Sequence, residues 1–425
     1  VNQSGQSFVA YLFASDAGGF GDDGSENIIK CGSVTTDGSG DATVTLGFEP
    51  QWVMLKRTDG AGTWAILDTM RGYDHSSSKR LMPNVSDAEE NYTGTNILGV
   101  PTATGFTTSG PVLDANSDYI YIAIRRPMKT PESGTEVFAV DNGNGSDNSP
   151  GFISGFPIDM GIRKVTTGSG SFVTSRLTGL SYLRAETNAA EVASTSATTD
   201  YMNGWASFTP QADQYSWMFK RATGFMDAVA YTGDGTTNAR PHNLGVVPEL
   251  MICKWRANNT GEYWYVYHAS LGVNKTIFLQ LPNAEIGFTI TNSTAPTSTH
   301  FTLSGGGLNT SNATYIAYLF ATLAGVSKVG SYTGTGNNLN VDCGFSAGAR
   351  FILIKRTDST GDWYVWDSVR GIVAGNDPYL LLNSTAAQVT NTDYVDPLSS
   401  GFTVTSSAPA ALNASGGSYI FLAIA

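Results

Sequence analysis

Apolar residues in this chain fall in short runs, each closed by glycine, asparagine, serine or proline. Four runs share one composition: Tyr119-Ile120-Tyr121-Ile122-Ala123-Ile124, Tyr215-Ser216-Trp217-Met218-Phe219, Tyr315-Ile316-Ala317-Tyr318-Leu319-Phe320 and Tyr419-Ile420-Phe421-Leu422-Ala423-Ile424. A fifth, Phe8-Val9-Ala10-Tyr11-Leu12-Phe13, stands near the start. Successive side chains of a strand point to opposite faces, so Tyr419, Phe421 and Ala423 point one way and Ile420, Leu422 and Ile424 the other. Both faces are apolar and both need covering. One fills the unit's own core. The other fits an interior strand of a sandwich, or a contact with the next unit or another chain.

Two further landmarks keep the same spacing, about a hundred residues. One is a turn before an apolar strand: Gly47-Phe48, Gly155-Phe156, Gly245-Val246 and Gly344-Phe345. The other is Gly105-Phe106, Gly204-Trp205, His300-Phe301 and Gly401-Phe402. In the last copy, strands are predicted over 329–332, 351–354, 363–366, 379–382, 402–405 and 419–424, with a hairpin turn at 357–361. No stretch has a helical period; residues 386–389 or 87–90 suit one turn at most. The pattern predicts an all-β chain: a tandem array of four β-sandwich repeats with jelly-roll-like or lectin-like connections. The repeats are 29–127, a divergent 128–222, 223–325 and 326–425. Residues 1–28 read as the last strand of a preceding repeat plus a Gly/Asp-rich linker. That opening, on Val1, predicts a piece of a longer polypeptide.

Composition narrows the class. Charged residues are 14% of the 425, with Gly, Thr, Ser and Asn in their place, while aromatics reach 11%. Such a mix suits a turn-rich β-protein of an extracellular or virion setting, not a disordered chain. The net charge of −12 and the lack of a basic run argue against a nucleic-acid partner. No apolar run is long enough for a membrane helix, so membrane insertion is not expected. Three cysteines, Cys31, Cys253 and Cys343, form neither a disulfide framework nor a thiolate metal site.

One charged constellation recurs. Lys56-Arg57-Thr58-Asp59, Trp64, Asp68 and Arg71-Gly72 match Lys355-Arg356-Thr357-Asp358, Trp363, Asp367 and Arg370-Gly371 in order and spacing. Folding the second hairpin about Thr360 places Leu353 opposite Asp367 and Lys355 diagonal to it. Lys56, Asp68 and Arg71, and Lys355, Asp367 and Arg370, therefore read as a structural ion network. An anion or sugar site is the other reading. The middle copies favour the tie, because the acid becomes Ser175 in one and His268 in the other. His75, His242, His268 and His300 lack zinc spacing, no GxSxG elbow supports a nucleophile, and no carboxylate pair is singled out for glycoside hydrolysis. Asp22-Asp23-Gly24-Ser25-Glu26 and Asp141-Asn142-Gly143-Asn144-Gly145 are oxygen-rich loops that suit Ca2+ or plain Asx turns. Otherwise no cofactor is expected.

Tyr332-Thr333-Gly334, Gly344-Phe345, Phe351-Ile352-Leu353-Ile354-Lys355-Arg356, Asp367-Ser368-Val369-Arg370-Gly371, Asn383, Ser400-Gly401-Phe402 and Tyr419-Ile420 form a set. It resembles repeats of tail-fibre-like and other virion structural proteins of tailed bacteriophages, marine ones especially. The linker Gly18 to Gly24 and the run Ile124-Arg125-Arg126-Pro127 carry the same likeness, which is weak in 150–222. The resemblance implies a virion component, such as a tail fibre, spike or surface appendage that contacts the host, and brings no catalytic residues. Expected partners are copies of itself, as a homo-oligomer such as a trimer, other virion proteins, and a host surface glycan. A carbohydrate-binding receptor module is the alternative, using Trp64, Trp264 or Trp363 at loop tips. A polysaccharide-degrading tail enzyme ranks third, and no enzymatic activity is expected.

Overall fold

A computed structural model describes residues 4–94, 97–110, 113–143, 150–207, 213–257, 262–305 and 307–425. The chain is all-β, 41% strand and 3% helix. Among the described residues helix is confined to one α-turn, Ala410–Asn413, and three short 3-10 turns; neither 386–389 nor 87–90 is helical. None is long and apolar enough to cross a membrane. Two compact units are present: residues 1–73 with 77–127, and residues 74–76 with 128–425.

One antiparallel topology recurs four times. In each stretch the closing strand lies between the opening strand and the strand after the Gly-aromatic turn, and a hairpin partner follows. In the last stretch the order is Ser327–Thr333, Ser418–Ile424, Phe351–Arg356, Trp363–Asp367 and Leu380–Leu381. The corresponding closing strands are Asp118–Arg125, Gln214–Phe219 and Thr314–Phe320. A smaller sheet accompanies each: Leu339–Asp342, Gly401–Val404 and Val395–Leu398 in the last stretch. The two glycine landmarks have separate causes. Gly47, Gly155, Gly245 and Gly344 turn the chain at φ between 72° and 84°, where a side chain is strained. Gly401 permits close strand approach, since a Cβ there would lie 2.1 Å from the Val341 carbonyl oxygen.

The two faces of the closing strand have different covers. In the last stretch Tyr419, Phe421 and Ala423 join Ile352, Trp366, Phe402 and Val404 in a core between the larger and smaller sheets. Ile420, Leu422 and Ile424 enter another core that spans residues 137–424. Tyr315, Ala317 and Leu319, against Ile316, Tyr318 and Phe320, divide in the same way. Three of the stretches thus share one central core besides their own. Phe219 lies 5.8 Å from Phe320 and 5.9 Å from Phe351 between ring centroids, joining all three sheets. The stretch 29–127 keeps only its own core, with Tyr119, Tyr121 and Ala123 inside it. The run at 8–13 forms no strand, and Phe8, Val9, Tyr11, Leu12 and Phe13 are all exposed.

Candidate functional site: junctions between the sheets

The register departs from the expected one by two residues. Phe351, not Leu353, faces Asp367, and Lys355 faces Trp363 at the far end of the hairpin. The lysine is therefore not a diagonal neighbour of the aspartate. The acid pairs with the arginine alone: Arg370 Nε lies 2.6 Å from Asp367 Oδ2, both side chains fully buried, and Arg71 Nε lies 2.5 Å from Asp68 Oδ2, both partly exposed.

Asp367 has a second task. Its Oδ1 accepts the amides of Val369 and Arg370, fastening the turn after the strand. Asp68 Oδ1 does the same for Met70 and Arg71. At the matching positions Ser175 Oγ accepts the amide of Leu177 and His268 Nδ1 that of Ser270. The strand partners match too: Trp52, Met160, Leu250 and Phe351. The position calls for a short-range acceptor that caps the turn, which Asp, Ser and neutral His all supply. Burial holds the His268 imidazole down at about 4, so it is neutral at pH 7. The substitutions in the middle stretches remove the charge and keep the cap. In the last stretch the acid also holds a neighbour: Trp217 Nε1 donates to Asp367 Oδ2 at 3.0 Å, and Arg370 sits 5.5 Å from the Trp217 ring, a cation–π contact.

The lysines bind main chain across the junctions. Lys355 Nζ donates to the carbonyls of Pro282, Asn283 and Arg356 at 2.7–3.1 Å. Lys254 Nζ reaches Asn188 and Glu262. Lys164 Nζ reaches Ser384, Ser169 and the hydroxyl of Ser171. Each ammonium bonds its own hairpin and one neighbouring stretch, and the neighbours follow in a ring: 326–425 to 223–325, 223–325 to 128–222, and 128–222 to 326–425. Burial pushes each of the three lysines down to about 8. Carbonyl partners suit a cation removed from water, because they supply hydrogen bonds without a second desolvated charge. In the first stretch Lys56 Nζ donates to the carbonyl of Arg57, the intra-hairpin half of the pattern.

Main-chain bonds reinforce the ring at equivalent places. Glu285 donates its amide to Thr357, Gln388 to Thr166 and Glu191 to Arg256. Two tryptophans do the same with their indoles: Trp363 Nε1 to the Phe278 carbonyl at 3.0 Å and Trp264 Nε1 to the Arg184 carbonyl at 2.9 Å. At the third junction Ser171 stands in the tryptophan position and gives its hydroxyl to Leu382. Trp264 and Trp363 are thus buried in the junctions, not displayed at loop tips, and Trp64 is half-buried. These contacts had a sequence signal that the motif reading missed, the dipeptides Ala88-Glu89, Ala190-Glu191, Ala284-Glu285 and Ala387-Gln388. Each follows by four the residue whose side chain caps the hairpin return: Asn84 and Asn383 hold the amides of Trp64 and Trp363.

Other candidates stay apart. Asp23 accepts the amide and hydroxyl of Ser25, an Asx turn, and Asp141 accepts the amide of Ile153; Asn144 and Gly145 lie outside the described residues. Among the described residues no group of three or more His, Cys, Asp or Glu side chains is placed to hold a metal ion. Burial pushes the Cys253 and Cys343 thiols up to about 12. The central core encloses a cavity of about 30 Å³ walled by Trp217, Phe219, Phe320 and Phe351, with room for no more than a water molecule.

No curated protein matches the chain. A family model described as a domain of unknown function, DUF7483, matches residues 1–126 and 215–425 and leaves out most of the stretch in which the serine replaces the tryptophan. With most of its length so matched, the chain belongs to the DUF7483 family.

Proposed function

We propose that the chain is a structural component of a phage virion, a tail fibre, spike or other surface appendage, and that it acts by assembly and not by catalysis. Its four stretches, 29–127, 128–222, 223–325 and 326–425, are read as tandem β-sandwich repeats. The ring of lysine-to-carbonyl contacts carries this reading. Three of the four recurrent lysines, Lys164, Lys254 and Lys355, lock one sheet to the next, as a load-bearing component requires, and do not converge on a reacting centre. The likeness of residues 332–420 to tail-fibre-like repeats supports the virion setting. Immunogold labelling of purified particles with an antibody to this chain tests it. Label on a particle appendage is the expected result; label in the lysate with none on particles overturns the assignment.

The second reading is a carbohydrate-binding receptor module. It draws on a polar surface groove of about 410 Å³ lined by Lys275, Glu285, Tyr332, Thr357 and Asp358, which is wide enough for a sugar ring. A glycan array separates the two: retained host glycan, lost in Tyr332→Ala, favours the receptor module.

A further inference from the structure

The first stretch builds the same sheet as the other three and leaves one face of it open. Ile420 is 2% exposed while its counterpart Ile120 is 44% exposed, and Leu380 at 0% corresponds to Leu81 at 37%. The Asp367–Arg370 pair is sealed at 0% and 1%, whereas the Asp68–Arg71 pair stands at 21% and 25%. Ile122 and Ile124 are only half-buried, and neither joins the core of the first unit. The residues that fill the central core of the second unit therefore have apolar counterparts in the first unit with no core to enter.

This face carries both halves of a junction. Lys56 and Trp64 stand where Lys355 and Trp363 stand, which are the donors of the 326–425 stretch. Residues 82–89 stand where 278–285 stand, which are the acceptors of the 223–325 stretch. Asn84 caps the Trp64 amide at 2.9 Å as Gln280 caps that of Trp264 at 3.0 Å, and Ala88-Glu89 matches Ala284-Glu285. The same donor and acceptor places close a ring of three within residues 128–425, so a fold that carries both on one face is complementary to itself.

We propose that the open face of the first unit, Trp52, Met54, Lys56, Trp64, Ile66 and Ile120, binds two further copies of this chain and forms a three-fold ring of sheets. In that ring Lys56 Nζ donates to carbonyls near Ser86 of the next copy, and the amide of Glu89 of the next copy donates to the Thr58 carbonyl. The inference rests on the reading of the chain as an assembling component. It adds the surface, the partner and the stoichiometry.

Sedimentation equilibrium of the full chain at tens of micromolar tests it. A particle of three times the 45.0 kDa chain mass is expected, and Ile120→Lys with Leu81→Lys, both at exposed positions, is expected to give monomers with unchanged circular dichroism. A second variant fixes the direction of contact. Thr58→Cys with Glu89→Cys, on a Cys31→Ser background, is expected to form covalent trimers on oxidation. Main-chain-bonded neighbours lie within the Cα separation that a disulfide spans, about 4.4–6.8 Å. A monomeric chain, a trimer unaffected by Ile120→Lys with Leu81→Lys, or an oxidised double-cysteine variant that stays monomeric overturns the proposal. Particle labelling reads the virion assignment separately, so a monomer refutes the ring and leaves that assignment standing.

Discussion

Asp367 shows what a single position has to supply. Capping the turn needs only an acceptor, which Ser175 and His268 provide in its place. Balancing Arg370 needs a carboxylate, whose Oδ2 also receives the Trp217 indole. With both ions buried, removing one leaves the other uncompensated, so Asp367→Ala is expected to cost about 3–5 kcal/mol. Asp68→Ala breaks a partly exposed pair worth about 0–1 kcal/mol and a cap worth about 1 kcal/mol. Urea denaturation should rank the two in that order; equal losses would refute the burial argument. The three junction lysines set a pH dependence. A base whose folded pKa lies below its unfolded value binds fewer protons when folded, so stability rises with pH between the two. For Lys164, Lys254 and Lys355 that window opens near pH 8 and closes near the ordinary 10.5. Burial raises the Cys253 and Cys343 thiols to about 12 and Tyr231 and Tyr332 well above 10, which reverses the slope once the unfolded thiols, ordinarily near 9, and the unfolded tyrosines ionise. Thermal melts should therefore rise from pH 8, turn over near pH 9 and then fall, with a smaller rise in Lys355→Met. A midpoint that falls steadily from pH 8 would refute it. The Asp–Arg pair was legible in the sequence because three residues of spacing bring both groups to one turn. The lysine partners were not, because main-chain carbonyls carry no residue signature.

At the scale of strands, alternation located the faces correctly even where the register was off. A two-residue slip leaves every side chain on its own face, so Ile420, Leu422 and Ile424 were already grouped, while the neighbour of Asp367 was misplaced. The recurring Gly-aromatic step before the returning strand is a matter of space. Gly105, Gly204 and Gly401 sit where a Cβ would meet a carbonyl oxygen of the paired strand at 1.9, 2.0 and 2.1 Å. The backbone cannot give way without parting the small sheet from its neighbour. Gly401→Ala is expected to destabilise by about 1–3 kcal/mol, the usual cost of overpacking, with near-normal circular dichroism. The same substitution at Gly344, where the space is open and only the positive φ resists, should cost about 1 kcal/mol. A larger loss at Gly344 than at Gly401 would refute the steric account. The third stretch has His300 at this step, opposite Pro241.

At the scale of the molecule, the sequence spacing predicts four equivalent domains, whereas the cores divide the chain otherwise. Residues 137–424 share one core across three stretches, and the first unit has a separate one. Apolar character on both faces was legible; the identity of the cover was not, because an inward-facing isoleucine reads alike whether it meets its own small sheet or a neighbour's large one. The division has a thermodynamic consequence. Elements that share a core unfold together, since separating any one exposes the others' apolar surface at about 25 cal/mol per Å². Differential scanning calorimetry of the full chain should show two transitions, a larger one for residues 128–425 and a smaller one for the first unit. Ligand-like mass action then distinguishes them: a unit stabilised by association melts higher as the concentration rises. The smaller transition should move up across a hundredfold increase in chain concentration and stop doing so in Ile120→Lys with Leu81→Lys, while the larger stays fixed. Four transitions, or a larger one that resolves into three, would mean that the shared core does not couple the stretches. A smaller transition indifferent to concentration would mean that its open face has no partner in a second copy.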